Sequence, residues 1–256
     1  MARRAPVSTL TREQRDGFAR DGFVIARDLF DRAEIDRVLA DVRAVFEDQA
    51  RKLGRLPADY DDLDVLIRAV MIPGTPERSF IYEFSRHVRS IKLLEGSPVL
   101  QGALEDLGLR LPICLEFPTI RYDFPEESQF LTPAHQDVRS IRSARCITVW
   151  IPLRRVDAHH GTVAVWPGTH SLGLVEHLLD EKHVKVPDDA LSGDAVPVEA
   201  DAGDVVFMNS FVIHRSHPNA SDRIKLNVQA FYNDALAVTI GDEHQALAAI
   251  PDYKDL

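Results

Sequence analysis

The sequence of 256 residues predicts a mostly β protein with flanking helices, in which N-terminal helices precede a jelly-roll barrel built from two sheets. Three observations lead there. Segments with helix-capping residues and apolar residues at three- and four-residue spacing fill the first part of the chain. Short apolar or alternating runs divided by turn residues fill the part after Gly108. Helices and strands do not alternate along the chain, which argues against βαβ units and a parallel sheet.

In chain order, Thr11 with Gln14 and Asp31 with Glu34 have capping-box spacing, and each is expected to open a helix. Behind the second box, Ile35, Val38, Leu39, Val42, Val45 and Phe46 fall on one helical face. Residues 22–25 between the two helices are a strand candidate, and Gly54 ends the long helix. Residues 55–79 read as a looser stretch, broken by Pro57, Pro73, Gly74 and Pro76. Helical pieces are expected over 80–94 and 98–107. The strand candidates of the barrel are 113–121, 146–153, 162–166, 204–207 and 225–232, with turns at Pro167-Gly168 and at 201–204. The segment 171–202 is long and mostly charged and reads as a surface excursion. One domain is expected over 1–256, with a helical part at about 9–107, a barrel core at about 110–233 and a C-terminal extension over 234–256.

Hydrophobic residues make up 45% of the chain and charged residues 27%, the balance of a folded globular protein. The formal net charge of -10 argues against a nucleic-acid partner. Arg139, Arg142 and Arg145 lie close together and read as a surface or pocket-rim cluster. Cys114 and Cys146 have apolar neighbours and no CxxC spacing, which suggests buried thiols in a reducing compartment. No run approaches the roughly 18 apolar residues that span a bilayer. The basic start has no apolar stretch behind it, unlike a secretory signal. A cytoplasmic protein with neither a membrane nor a nucleic-acid partner is expected.

Most of the ten histidines have ordinary explanations. His159-His160 reads as a polar turn and His87 as part of a charged helix, while His177, His183 and His244 lie in charged stretches that look exposed. His135-Gln136-Asp137 differs. Residues two apart on an extended segment point to the same side, so an imidazole and a carboxylate can approach one cation together. With a third ligand from another strand, this is the facial triad suited to ferrous iron. His214, at the end of the strand-like run 205–213, is favoured as that ligand. His217 competes with it, but its neighbour Pro218 suggests that the chain is turning there.

Five segments then fall into a recognisable order. They are Leu10-Thr11-Arg12-Glu13-Gln14 with Phe18 and Asp21-Gly22-Phe23-Val24; His135-Gln136-Asp137; Val149-Trp150-Ile151-Pro152-Leu153 with Val156-Asp157; Gly161-Thr162 with Pro167-Gly168-Thr169-His170; and His214-Arg215-Ser216 with Pro218-Asn219 and Ser221. Together they resemble the phytanoyl-CoA dioxygenase family of iron(II)- and 2-oxoglutarate-dependent oxygenases over nearly the whole chain. The resemblance implies a double-stranded β-helix, the cupin-like form of the jelly roll. It implies iron bound by His135, Asp137 and His214, which are also the catalytic set. The cosubstrates would be 2-oxoglutarate and O2, and the default reaction is hydroxylation of a small molecule with release of succinate and CO2. Related halogenases lack the carboxylate, so Asp137 argues against halogenation.

The resemblance also implies that Ser216 helps hold the distal carboxylate of 2-oxoglutarate and that Trp150 lines its pocket. Arg121, on the strand before the iron motif, is a further pocket candidate. Eleven residues after the distal histidine the family usually has an arginine, and this sequence has Lys225 there. Arg223 lies two residues before it, and an extended strand would put both on one side. Either could supply the positive charge, and spacing favours Lys225. Two other readings stay open: a non-catalytic ligand-binding or interaction module on the same barrel, and a cupin-like metal enzyme that does not use 2-oxoglutarate. The residues specify neither the substrate nor the oligomeric state.

Overall fold

Local capping chemistry opens the first helices where the sequence places it. Thr11 accepts from the backbone of Gln14, whose side chain accepts in return from Thr11 N, and α1 (Arg12–Asp21) follows. Gly22, at φ 79°, ends that helix and leads into β1 (Phe23–Ala26). Asp31 N donates to the Glu34 carboxylate at 2.9 Å ahead of α2 (Arg32–Lys52). Ile35, Val38, Val42, Phe46 and Ala50 form the buried face of α2. The chain is described here from a computed structural model over residues 8–116, 118–128, 131–138, 141, 143, 145–179 and 184–237.

The stretch 55–79 is less loose than its prolines suggest. It contains α3 (Leu63–Val70), capped by the Asp62 side chain, with Leu63, Leu66, Ile67 and Val70 on one buried face. Pro76 does not break a helix but starts one, because the first helical position needs no backbone N–H. It begins α4 (Pro76–Ser85), which is followed by α5 (Arg89–Glu95) and α6 (Pro98–Asp106).

The expected strand 113–121 is two strands, β2 (Pro112–Cys114) and β3 (Thr119–Asp123). After them come β4 (Cys146–Pro152), β5 (Val163–Val165), β6 (Leu178–Leu179), β7 (Val184–Lys185), β8 (Val196–Pro197), β9 (Val205–Asn209), β10 (His214–Ser216) and β11 (Lys225–Asp234). The larger sheet runs β1-β9-β4-β11, and the far edge of β11 pairs with both β3 and β2. The smaller sheet is β10-β5-β8, and β6 with β7 forms a separate two-stranded pair. Every pairing between these strands is antiparallel.

The larger sheet is covered on both faces, and alternation along its strands decides what each face meets. Every residue of β4 is buried. Ile147, Val149 and Ile151 join Phe207, Leu226 and Val228 in a cluster with the apolar faces of α2, α3 and α6. Trp150, Val206 and Met208 point the other way and cluster with Val163, Val165 and Val198 of the smaller sheet and its flanks. Helices therefore close one side and the second sheet closes the other, which is the double-sheet jelly roll expected from the sequence.

The segment 171–202 departs from the expected surface excursion. It supplies β8 to the smaller sheet, and Val186, Val198 and Ala200 are buried. His177, which looked exposed, is 5% exposed. Among its described residues Glu176, Asp188, Asp189, Asp194 and Glu199 are exposed while Val186, Val198 and Ala200 are buried, so the overall charge of the segment hid its contribution to the core. No helix among the described residues is long and apolar enough to cross a membrane.

Candidate metal centre

His135 and His214 face each other in an isolated antiparallel bridge, exchanging backbone hydrogen bonds of 2.9 and 3.0 Å. Directly opposed residues project to the same side, and the two imidazole centroids lie 4.3 Å apart. Asp137 is held two residues further on, where its backbone N donates to Ser210 O at 3.1 Å. Its carboxylate reaches both rings, with Oδ1 3.4 Å from His135 Nε2 and Oδ2 3.5 Å from His214 Nε2. The three donor atoms lie within 4.8 Å of one another.

The protons are arranged for ligation. His135 Nδ1 lies 2.8 Å from Pro133 O, and His214 Nδ1 lies 3.1 Å from Val212 O. A carbonyl can only accept, so each Nδ1 carries the hydrogen and each Nε2 presents its lone pair toward Asp137. Thr148 Oγ1 donates to Asp137 Oδ2 at 2.6 Å. Burial pushes the His214 imidazole below its usual range, which favours the neutral, ligating form. Burial also opposes ionisation of Asp137, but positive charge on the facing imidazoles and the Thr148 hydroxyl outweigh it and hold its pKa down at about 2. With the rings neutral, a cation held among the three groups would supply that charge instead. Two imidazole nitrogens and one carboxylate on one side of a point fit a six-coordinate ferrous ion and leave three positions for other ligands.

His214 does not end a strand, as the run 205–213 suggested, but begins one. β9 stops at Asn209, and the chain turns with Val212 N donating to Asn209 O at 2.8 Å. β10 then opens with His214 opposite Val165 in the smaller sheet. The run is apolar on both sides of the turn, so its hydrophobicity conceals the crossover. The two motifs of the triad thus meet from different strands and are bridged directly. His217 lines a neighbouring outer cavity and is not part of the cluster.

Gln136, between His135 and Asp137, points away from them. Its side-chain nitrogen donates to Gly173 O and Phe211 O, and its oxygen accepts from Val175 N. It ties the ligand segment to the turn before His214 and to the segment after the 3-10 turn Thr169–Leu172. Nothing in a polar residue between two ligands signals this role in sequence.

A cavity of about 100 Å³ adjoins His135 and His214. Lys225, Ser216, Trp150 and Arg121 all line it. Arg223 does not. It is exposed and precedes β11 in a tight turn, where its carbonyl accepts from Asn219 Nδ2 at 2.7 Å and its N donates to Ser221 Oγ at 3.2 Å. The strand begins only at Lys225, so strand alternation does not reach back to Arg223.

Asp123 completes the polar end of the cavity. It pairs with Lys225 across the β3–β11 ladder, with Lys225 Nζ 2.5 Å from its Oδ2 and Arg121 Nη2 3.3 Å from its Oδ1. Burial would raise the Asp123 pKa, but the two cations outweigh it and keep the carboxyl below its usual range. The one available signal was Arg121 and Asp123 falling on the same side of a strand. A larger outer cavity of about 490 Å³ shares Arg121, Asp123, Thr132 and Lys225 with the first, and Tyr82, Phe124 and Leu131 also line it.

Of the three clustered arginines only Arg145 lies among the described residues, and its guanidinium donates to Gly108 O at 2.7 Å. Arg139, Arg142, His183, His244 and the C-terminal extension from residue 238 onward lie outside them.

The fold and the cluster together define a double-stranded β-helix protein with a His-x-Asp…His facial triad. Within that class, residues 118–226 match the family model of phytanoyl-CoA dioxygenase (PhyH), and this span includes His135, Asp137, His214 and Lys225. The 1-deoxypentalenic acid 11-beta-hydroxylase of Streptomyces arenae is 35% identical over 120 residues, 40% of this chain and 41% of that protein. The chain thus spans about two fifths of the length of that relative and of its Streptomyces exfoliatus counterpart. A probable phytanoyl-CoA dioxygenase of Caenorhabditis elegans is 23% identical over 245 residues, 90% of this chain and 77% of that protein. Among solved structures, the epimerase SnoN in complex with Fe3+, alpha ketoglutarate and nogalamycin RO superposes with a TM-score of 0.61 at 18% identity, over 87% of this chain and 83% of that one. The alpha ketoglutarate dependent carbocyclase SnoK from nogalamycin biosynthesis gives 0.59 at 18% identity, over 95% and 93%. These superpositions bear on the fold.

Proposed function

We propose that this chain is an Fe(II)- and 2-oxoglutarate-dependent dioxygenase that hydroxylates a small molecule and releases succinate and CO2. The observation that carries this reading is the largely buried triad, whose two Nε2 atoms and one carboxylate converge beside a cavity with a lysine in its wall. The phytanoyl-CoA dioxygenase domain match over the same residues supports it.

His135, Asp137 and His214 would hold the iron. Bound there, iron would couple oxidative decarboxylation of the 2-oxo acid by O2 to oxidation of a substrate C–H bond, with one oxygen atom passing to succinate and the other to the product. The chain's own residues position these reactants. The Pro133 and Val212 carbonyls fix the ring tautomers, and Thr148 fixes the carboxylate. Ser216 Oγ accepts from Thr132 N at 3.1 Å, which leaves its hydrogen to donate to a carboxylate in the cavity. Lys225 supplies positive charge, with its Nζ 5.9 Å from the centroid of the Trp150 ring. Trp150 and Met208 form an apolar wall that helps to exclude water. The outer cavity of about 490 Å³ falls in the usual range for small-molecule sites and is the proposed route or seat for substrate.

Both cysteines are free, which supports a reducing, cytoplasmic setting. Neither a nucleic-acid nor a membrane partner is proposed.

Anaerobic titration with Fe(II) and then 2-oxoglutarate tests the reading. A visible metal-to-ligand charge-transfer band is expected, and Asp137→Ala should abolish both the band and succinate formation. Iron binding without the band would favour a metal enzyme that does not use 2-oxoglutarate. No iron binding would favour a non-catalytic ligand-binding module.

A further inference from the structure

Asn227 is fully buried, yet neither its Nδ2 nor its Oδ1 has a hydrogen-bond partner. Buried side-chain amides are normally satisfied, and one left unmet at both ends costs stability. Its position explains what could meet it. Asn227 lines the cavity beside His135, His214, Ser216 and Lys225. On β11 it lies two residues from Lys225, so both side chains fall on the face of the strand that looks into the barrel. Its partner on β3 is Arg121 and its partner on β4 is Pro152, which has no polar side-chain group to offer.

The neighbouring lysine gives this orphan amide a role. An arginine offers a carboxylate two parallel N–H donors, whereas lysine offers a point charge. Here Lys225 is also engaged by Asp123 at 2.5 Å. The wall therefore has charge from Lys225 but lacks a planar, directional second donor from the same residue. Asn227 Nδ2 is such a donor, on the same face of the same strand.

We infer that Asn227 binds the 2-oxo acid cosubstrate, with its Nδ2 donating to the distal carboxylate whose charge Lys225 balances. The anchor is thus divided between two residues, one giving charge and the other direction. Asn227 Oδ1 remains to accept from water or from a hydroxyl brought into the cavity. This inference rests on the dioxygenase reading of the site.

The test compares wild-type protein with Asn227→Leu, which is nearly isosteric and apolar, and with Asn227→Asp, which keeps the shape but turns the donor into an acceptor. Binding of 2-oxoglutarate and of 2-oxobutyrate, which has no distal carboxylate, is measured on the anaerobic Fe(II) protein by calorimetry. The melting temperature is measured without ligand. Asn227→Leu is expected to melt higher than wild type, because the unmet amide is gone. It should bind 2-oxoglutarate about tenfold more weakly and 2-oxobutyrate as wild type does. Asn227→Asp should lose more 2-oxoglutarate affinity than the leucine variant, and this arm decides the matter if the leucine variant does not fold. Three results would overturn the inference: 2-oxoglutarate affinity within twofold of wild type in both variants, equal losses for the two acids, or a lower melting temperature in step with lost affinity for both. Wild-type protein that binds Fe(II) but not 2-oxoglutarate would overturn the dioxygenase reading itself, and the role of Asn227 with it.

Discussion

Lys225 Nζ lies 2.5 Å from Asp123 Oδ2, and the two residues face each other across the β3–β11 ladder. Their side chains are only 6% and 15% exposed, so neither charge is well solvated without the other. Removing one partner of a buried pair costs about 3–5 kcal/mol when the other charge is left alone, but Asp123 keeps Arg121 at 3.3 Å. Lys225→Ala should therefore lose less stability than that, about 1–3 kcal/mol, and also raise the KM for 2-oxoglutarate by about tenfold or more. Arg223→Ala, at an exposed turn outside the cavity, should change neither by more than about 0.5 kcal/mol or twofold. Urea unfolding and succinate-release kinetics on the two variants check this, and a raised KM in the Arg223 variant would reverse the assignment.

The same pair makes the fold acid-sensitive. The Asp123 pKa in the folded protein lies below its ordinary 3.8, because Lys225 and Arg121 outweigh its burial. A carboxyl with a lowered folded pKa contributes stability that is complete above its unfolded pKa and is lost as pH falls through the folded one. The contribution of Asp123 should thus be constant near neutrality and decline as pH falls below about 4. The double variant Asp123→Asn with Lys225→Met removes the titrating group and its partner together. Its unfolding free energy should depend less steeply on pH than that of wild type in this acid range. Equal slopes would show that Asp123 is not a source of the acid lability.

Part of this site is readable in the sequence and part is not, and the division follows whether the geometry is local. His135 and Asp137 are readable because a two-residue spacing fixes their relative direction on any extended segment. Thr11, Gln14, Asp31 and Glu34 are readable for the same reason, since a cap satisfies backbone groups three residues away. The placement of His214 in the second sheet is not readable, because the residues on both sides of the turn at Asn209 are equally apolar. Asp123 and Asn227 depend on strand register, which the whole sheet sets. Asp123 matters because it faces Lys225, and Asn227 because it faces Arg121 and Pro152. Helix α3 was obscured by its shortness and by flanking prolines, although its apolar residues keep helical spacing.

Thr148 should tune the metal rather than the fold. It is fully buried on β4, and its hydroxyl donates to Asp137 Oδ2 at 2.6 Å. Thr148→Val keeps the side-chain shape but removes that donor, freeing the carboxylate to rotate. Loss of such an outer hydrogen bond typically weakens a metal site by about 10–100-fold. Competition with a chelator should show that loss for Thr148→Val and close to wild-type affinity for Thr148→Ser. If the valine variant holds iron as tightly as wild type, the hydrogen bond does not orient the ligand.

Gly161 tests how closely the turn before β5 approaches the connection between β10 and β11. It has φ +70°, a conformation that side chains disfavour, and a Cβ built there would lie 2.8 Å from Asn219 Cβ and 3.0 Å from Asn219 Cα. The obstacle includes backbone, so it cannot swing aside. Asn219 is also fixed, bridging to His160 and donating from its side chain to Arg223 O just before β11. Gly54, at φ +65° with nothing within 4 Å of a built Cβ, carries the conformational penalty without the clash. Gly54→Ala should cost about 1 kcal/mol. Gly161→Ala should cost about 2–4 kcal/mol, because strain in the connection between β10 and β11 adds to that penalty. Urea unfolding of the two variants isolates the clash, since the difference between them cancels the shared left-handed backbone. If Gly161→Ala is no worse than Gly54→Ala, the loop at Asn219 yields easily and does not hold His214 and Lys225 in register.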